Sequence, residues 1–319
     1  MSQRTPLKAT FDAFKNRSRS GVLVRASAVF ALGSFLLAAV FIGLNFSAFG
    51  ALIGWYGDAL SANASGGEPA MPPLVAFLQI FSGALIWLFL VYVLMAAYET
   101  ACLRWLIHGE VGRGLYGLNL GAPTWRTYSA YWLWYGLYFA ASFVSSILSS
   151  IILFAFMMSG GEMLVAVGIN YLVSFVMLIP MAYFAVRLAP AAAIGVARSK
   201  FSFFRAWTIT KGRFWALFGS FFLLFLIYMI ATAIIYALAF ALVAAAAGIT
   251  PSALTSYDNP QIVVNVLIEA FISPVGLVVW AAMIALYSVA FSMFLVATYG
   301  VNARAVRVAM EEGVIQAPA

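Results

Sequence analysis

Residues 262–307, IVVNVLIEAFISPVGLVVWAAMIALYSVAFSMFLVATYGVNARAVR, decide how many times this chain crosses a membrane. The apolar part, 262–300, is about 39 residues long, and as one helix it would measure about 58 Å, nearly twice the roughly 30 Å hydrocarbon core. Two crossings would carry Arg304 and Arg307 to the face opposite every other base. One crossing, preceded by a separate helix and broken at Ser273-Pro274-Val275-Gly276, keeps all bases together, and Pro and Gly supply the bend. In the piece before the break, Gln261, Asn265 and Glu269 recur every four residues. They make one polar stripe on a mostly apolar helix, a candidate polar cavity or interface on the base-free side. Glu269 stands out because a carboxylate near the membrane interior is costly and marks a functional position by default.

Working outward, further apolar runs lie near 26–52, 74–98, 128–158, 164–186 and 214–248, so six crossings are expected. The seventeen Lys and Arg residues all fall on alternate connections: Arg4 to Arg25, Arg104 to Arg126, Arg187 to Arg213, and Arg304 with Arg307. The other connections hold Asp58, Glu68, Glu162 and Asp258 and no base. By the positive-inside rule, both termini are expected in the cytoplasm. The composition agrees, with 65% hydrophobic and 8% charged residues against about 25% charged in soluble domains. The expected fold is all-α: one transmembrane unit over 1–319, with a basic cytoplasmic segment at 1–25 and a short cytoplasmic tail at 301–319. The N-terminal apolar run outlasts a signal peptide's core and is read as retained.

The net charge of +7 is spread over short connections, not gathered into one surface, so no nucleic-acid partner is expected. One cysteine, Cys102, and one histidine, His108, exclude an intrachain disulfide and a Cys/His metal cluster built from this chain alone, and no cofactor is implied. His108 and Glu110 are two apart and face different sides of a helix, so they make no acid–base pair. Cys102 reads as a buried packing residue. No phosphate loop, zinc spacing or nucleophile elbow occurs, and the chain is read as non-enzymatic.

Two connections on the basic face, 99–127 and 187–213, are too apolar for free loops. In the second, Phe201, Phe204 and Trp207 alternate with Lys200, Arg205, Lys211 and Arg213, which suits an interfacial elbow helix with its bases toward lipid headgroups. Each elbow opens on an Arg (Arg104, Arg187) and reaches a Trp some twenty residues later (Trp125, Trp207), a spacing compatible with a parallel internal repeat. Arg187 has two readings: pairing with Glu99, or snorkelling to the surface. The run Tyr128, Tyr131, Trp132, Trp134, Tyr135, Tyr138 and Phe139 reads as an interfacial aromatic belt. Gly50 and Gly54 suggest close helix contact. Ser142, Ser145, Ser146 and Ser149, with Ser150 beside them, share one face of the third span, suited to helix contact or a small hydrophilic path.

The stretch RLAPAAAIGVARSKFSFFRAWTITKGRFWALFGSFFLL, residues 187–224, resembles the membrane domain of bacterial glycerophosphoryl diester phosphodiesterases, also found in stand-alone membrane proteins. The resemblance rests on Arg187, Ala206-Trp207, Thr210, Gly212 and Phe214-Trp215, followed by an aliphatic span. It implies a six-span bundle with cytoplasmic elbows in a bacterial plasma membrane. In the enzymes hydrolysis belongs to an appended soluble barrel, and this chain reaches Ala319 shortly after its last span, so no catalytic role is carried over. The expected function is an integral membrane component acting through anionic membrane lipids at the cytoplasmic face, a protein partner or a second copy of itself. The alternative is a transporter or channel for a lipid or small solute.

Overall fold

The computed structural model describes residues 7–15, 21–64, 66–68, 70–112, 114–160, 162–246, 248, 270 and 273–316. It is 83% helical, and no strand forms among these residues. The elements are α1 (Asp12–Lys15), α2 (Gly21–Leu44), α3 (Phe46–Ala64), α4 (Leu74–His108), α5 (Ala122–Met158), α6 (Met163–Leu188), α7 (Ala191–Ala197), α8 (Arg205–Thr210), α9 (Phe214–Ala246) and α10 (Pro274–Glu311). Among the described residues, six helices are long and apolar enough to cross a membrane, at the six positions expected. The protein is an all-α, multi-pass membrane protein.

The last span starts where Pro and Gly predict a boundary. Pro274 opens α10, and the Ser273 hydroxyl accepts the Gly276 N–H at 3.0 Å, capping a helix that then runs unbroken through Arg304 and Arg307. Within the stretch 301–311, which continues α10, Val301, Ala303, Val306, Val308 and Ala309 are fully buried in the bundle. The N-terminal segment is also not free. Leu7, Ala9 and Ala13 are buried, and Ala13 lies so close to Gly300 that a Cβ there would come within 2.7 Å. Thr10 donates to Ser220 at 3.0 Å, and Arg307 pairs with Asp12. These contacts hold residues 7–13 against α9 and α10 at the basic end of the bundle.

The first apolar run is two helices, not one. The two meet at Asn45, whose side-chain amide donates to the Phe41 carbonyl at 2.8 Å beside its own backbone N–H at 3.2 Å. Asn45 packs on Gly83, where a Cβ would meet its amide at 2.8 Å, and Gly33 approaches Leu94 in the same antiparallel pair. The close contacts of α2 with α4 thus use Gly33 and Gly83. Gly50 and Gly54 face open space, against the expectation that they would form a contact.

Spans α4, α5, α6, α9 and α10 touch in that cyclic order, with α2 outside on α4. The short helix α7 contacts α4, α5 and α10 and is wholly buried, so it closes the ring at the basic end. Its sequence, AAAIGVA, explains the placement: small side chains let five helix backbones come near without a hydrophobic force between lipid-bathed helices. Ala96, Ala97 and Ala101 of α4 and Ala303, Ala305 and Ala309 of α10 do the same from the walls. The dense core sits at the basic end. The opposite halves of the spans carry large exposed apolar side chains, as lipid-facing surface does.

Candidate functional site

Three features hold the polar chemistry: the second elbow, a buried carboxylate, and two clefts. The elbow divides by face. Phe203, Ala206, Ile209 and Thr210 point into the bundle, while Phe201, Phe204 and Trp207 are exposed together with Lys200, Arg205 and Lys211. Arg187 neither pairs with Glu99 nor snorkels. Its side chain is buried at 7% exposure, lies 4.5 Å from the Trp207 ring centre and 5.6 Å from that of Tyr183, and donates to Thr210 Oγ at 3.2 Å. Arg213 departs from the headgroup role expected of it. It is buried and ion-paired with Glu312, because α9 starts there against the end of α10.

Among the described residues the first elbow has no short helix of its own, contrary to the expectation. Helix α4 runs on to His108, where Gly109 caps it with a positive φ of 68°, and α5 begins at Ala122. Arg104 pairs with Glu110 at 3.4 Å on the surface, which takes Glu110 away from His108.

Glu99 is the buried carboxylate, 5% exposed, where α4, α5 and α10 meet around α7. Tyr131 donates its hydroxyl to Glu99 Oε2, and the buried Tyr299 of α10 lies close by with its ring 5.8 Å from that of Tyr98. Next to them Tyr98 bonds Ser27 at 2.6 Å and stacks on Phe30, and Cys102 is buried one turn further along α4. A carboxylate in such a site needs donors in place of water, and the Tyr131 hydroxyl of the neighbouring span supplies one. Tyr131, read from sequence as part of an aromatic belt, is the partner that reading missed. Sequence reasoning paired Glu99 with Arg187 and so assigned it no tyrosine donor.

A cleft of about 900 Å³ separates α2 from α10. Its walls are mostly apolar, with Ala28, Phe35, Ile284 and Val289 facing Ser27 and Ser292, and α1 closes its basic end through Ala13 and Phe14. A second cleft, about 560 Å³, lies between α5 and α6. Ser142, Ser145, Ser146, Ser149 and Ser150 line one wall, Asn170 and Ser174 the other. The serine face predicted from spacing exists, and it opens on a cavity.

Gln261, Asn265 and Glu269 lie outside the described residues. No group of three His, Cys, Asp or Glu side chains able to hold a metal occurs among the described residues. No protein-family model, curated protein or solved structure matches this chain.

Proposed function

We propose that this membrane protein is a non-catalytic component of the phosphodiesterase membrane-domain type that acts through lipids, with its basic end in the cytoplasm of a bacterium. The two-faced second elbow carries the reading. Its buried face is held by Arg187 and Thr210, leaving Phe201, Phe204 and Trp207 to enter the interfacial layer while Lys200, Arg205 and Lys211 meet headgroups. Each base near an anionic surface contributes about 1 kcal/mol. The apolar cleft between α2 and α10 is at the upper end of the about 300–1,000 Å³ of small-molecule pockets, a size and lining suited to acyl chains.

The test is lipid selectivity in mixed bilayers, read from spin-labelled phosphatidylglycerol against phosphatidylcholine. Replacing Lys200, Arg205 and Lys211 together by Gln should abolish the preference for the anionic lipid. An unchanged preference, or none in the wild type, defeats the proposal.

A second reading, a carrier or channel, is supported by the ring of five spans closed by α7 and by the hydroxyl-lined cleft. Solute flux in proteoliposomes that disappears in Glu269→Gln would favour it over the first.

A further inference from the structure

Resting on the lipid reading above, we propose that the cleft between α2 and α10 seats an acyl chain of one anionic phospholipid from the leaflet at the basic end, with residues 7–15 as its end wall. The cleft is about 900 Å³, and apart from Ser27, Ser288 and Ser292 its walls are Ala, Val, Leu, Ile, Phe and Met side chains. Two of those hydroxyls are already used inside the protein. Ser27 bonds Tyr98 at 2.6 Å, and Ser288 donates to the Ile284 carbonyl at 2.7 Å. A lining of this kind does not hold water, since even an apolar cavity of about 150 Å³ stays dry. Left empty, it would forfeit dispersion contact along both walls, and hydrocarbon is the filling that a bilayer supplies at this depth.

The dimensions fit one leaflet. On α2 the lining runs from Leu23 to Phe35, about 18 Å at the helical rise, and on α10 from Ala281 to Val296, about 22 Å. Half of the roughly 30 Å hydrocarbon core is about 15 Å, so the cleft matches the chain of a lipid on one side of the membrane. That side is the basic one. There Ala13 and Phe14 close the cleft, and the wall they form is pinned by Thr10 on Ser220 and by Asp12 on Arg307. Lys15 follows Phe14 directly and is exposed. With Asp12 taken by Arg307, the mouth presents a cation at the level of lipid phosphates, which favours an anionic headgroup over a zwitterionic one. The apolar pocket between α9 and α10 has neither feature: it is about 200 Å³, below the about 300 Å³ at which ligand pockets begin, and no base lines it.

The test maps where a lipid chain lies. The full chain in nanodiscs is irradiated with phosphatidylglycerol carrying a diazirine midway along one acyl chain, and labelled residues are located by mass spectrometry. Phosphatidylcholine and a free fatty acid with the same diazirine are run in parallel. The filled variant is Ala28→Phe/Ala285→Phe, because both alanines are exposed on the cleft walls and larger side chains there enter the cleft without displacing the core. The control is Ala282→Phe, an exposed residue of α10 outside the cleft. Labelling of the cleft residues by the phosphatidylglycerol probe at least tenfold above Ala282 and its exposed neighbours, lost in the filled variant and kept in the control, supports the proposal. So does a preference over phosphatidylcholine at the cleft that disappears in Lys15→Gln. Cleft labelling no stronger than at the lipid-facing surface, equal labelling by phosphatidylcholine, labelling by the fatty acid alone, or labelling that survives the filled variant overturns it. In the Lys200→Gln/Arg205→Gln/Lys211→Gln variant the cleft labelling should persist, and its loss would overturn the cleft as a separate site. The elbow is judged by the lipid preference of the whole protein and the cleft by labelled position, so either reading can fail alone.

Discussion

The two elbows start from the same sequence grammar, an Arg at the end of a span and a Trp some twenty residues on, and they fold differently. In the first, α4 continues past Arg104 to His108, and Arg104 is left on the surface with Glu110. In the second, α6 stops at Leu188 and the chain turns inward as α7. Pro190 explains the divergence, since its ring and missing N–H disfavour helix at the residues before it. CLRWLIH after Glu99 contains no such breaker. One proline thus decides whether an arginine ends as a solvated rim charge or as a buried cation on a tryptophan face. The lesson is that matched spacing in two segments does not make them structural repeats when their helix-stop signals differ.

Substitutions can break or sharpen this contrast. Arg187→Ala should have the largest effect, about 3 kcal/mol of destabilisation in detergent-titrated unfolding, because it removes a desolvated cation–π contact and the donor to Thr210 together. A loss below 1 kcal/mol would erase the distinction. Next comes Ala193→Leu in α7, at 0% exposure, where overpacking costs about 2 kcal/mol by the same assay. A Leu115→Ala change in the exposed turn of the first elbow serves as its neutral counterpart. Tyr131→Phe should cost about 1.5 kcal/mol by leaving Glu99 buried without that donor, and Glu99→Gln in the same background should recover part of it in a double-mutant cycle. Smallest is Arg104→Ala, with less than about 1 kcal/mol expected for an exposed pair, and with that small cost shrinking as salt is raised. An Arg104 effect as large as that of Arg187 would show that the first elbow is held by its charge after all.

Much of this architecture is legible along the chain, and the reasons are local. The Pro274 cap, the six spans and the serine face each depend on residues within a turn or two of one another. Glu99 reads from sequence as a partner for Arg187, whereas the groups beside it are Tyr131 and Tyr299, which come from α5 and α10 and only the packing brings there. Arg213 reads as a headgroup anchor from its neighbours and becomes a buried partner of Glu312 only when the end of α10 lies beside it. Asn170 and Ser174 were silent for the same reason. A single polar residue in an apolar span has no meaning until the opposite wall is known.

The sequence by itself determined the number of spans and the separation of basic from acidic ends, since a membrane helix satisfies its own backbone hydrogen bonds and each span is a local decision. Only the tertiary structure decided which spans adjoin, that α7 closes the ring, and that the serine face of α5 lines a cavity against α6. Those outcomes depend on close packing between small residues far apart in the chain, at Gly33, Gly83, Gly300 and the alanines of α7. Such packing acts over van der Waals distance and leaves little signal in any one segment.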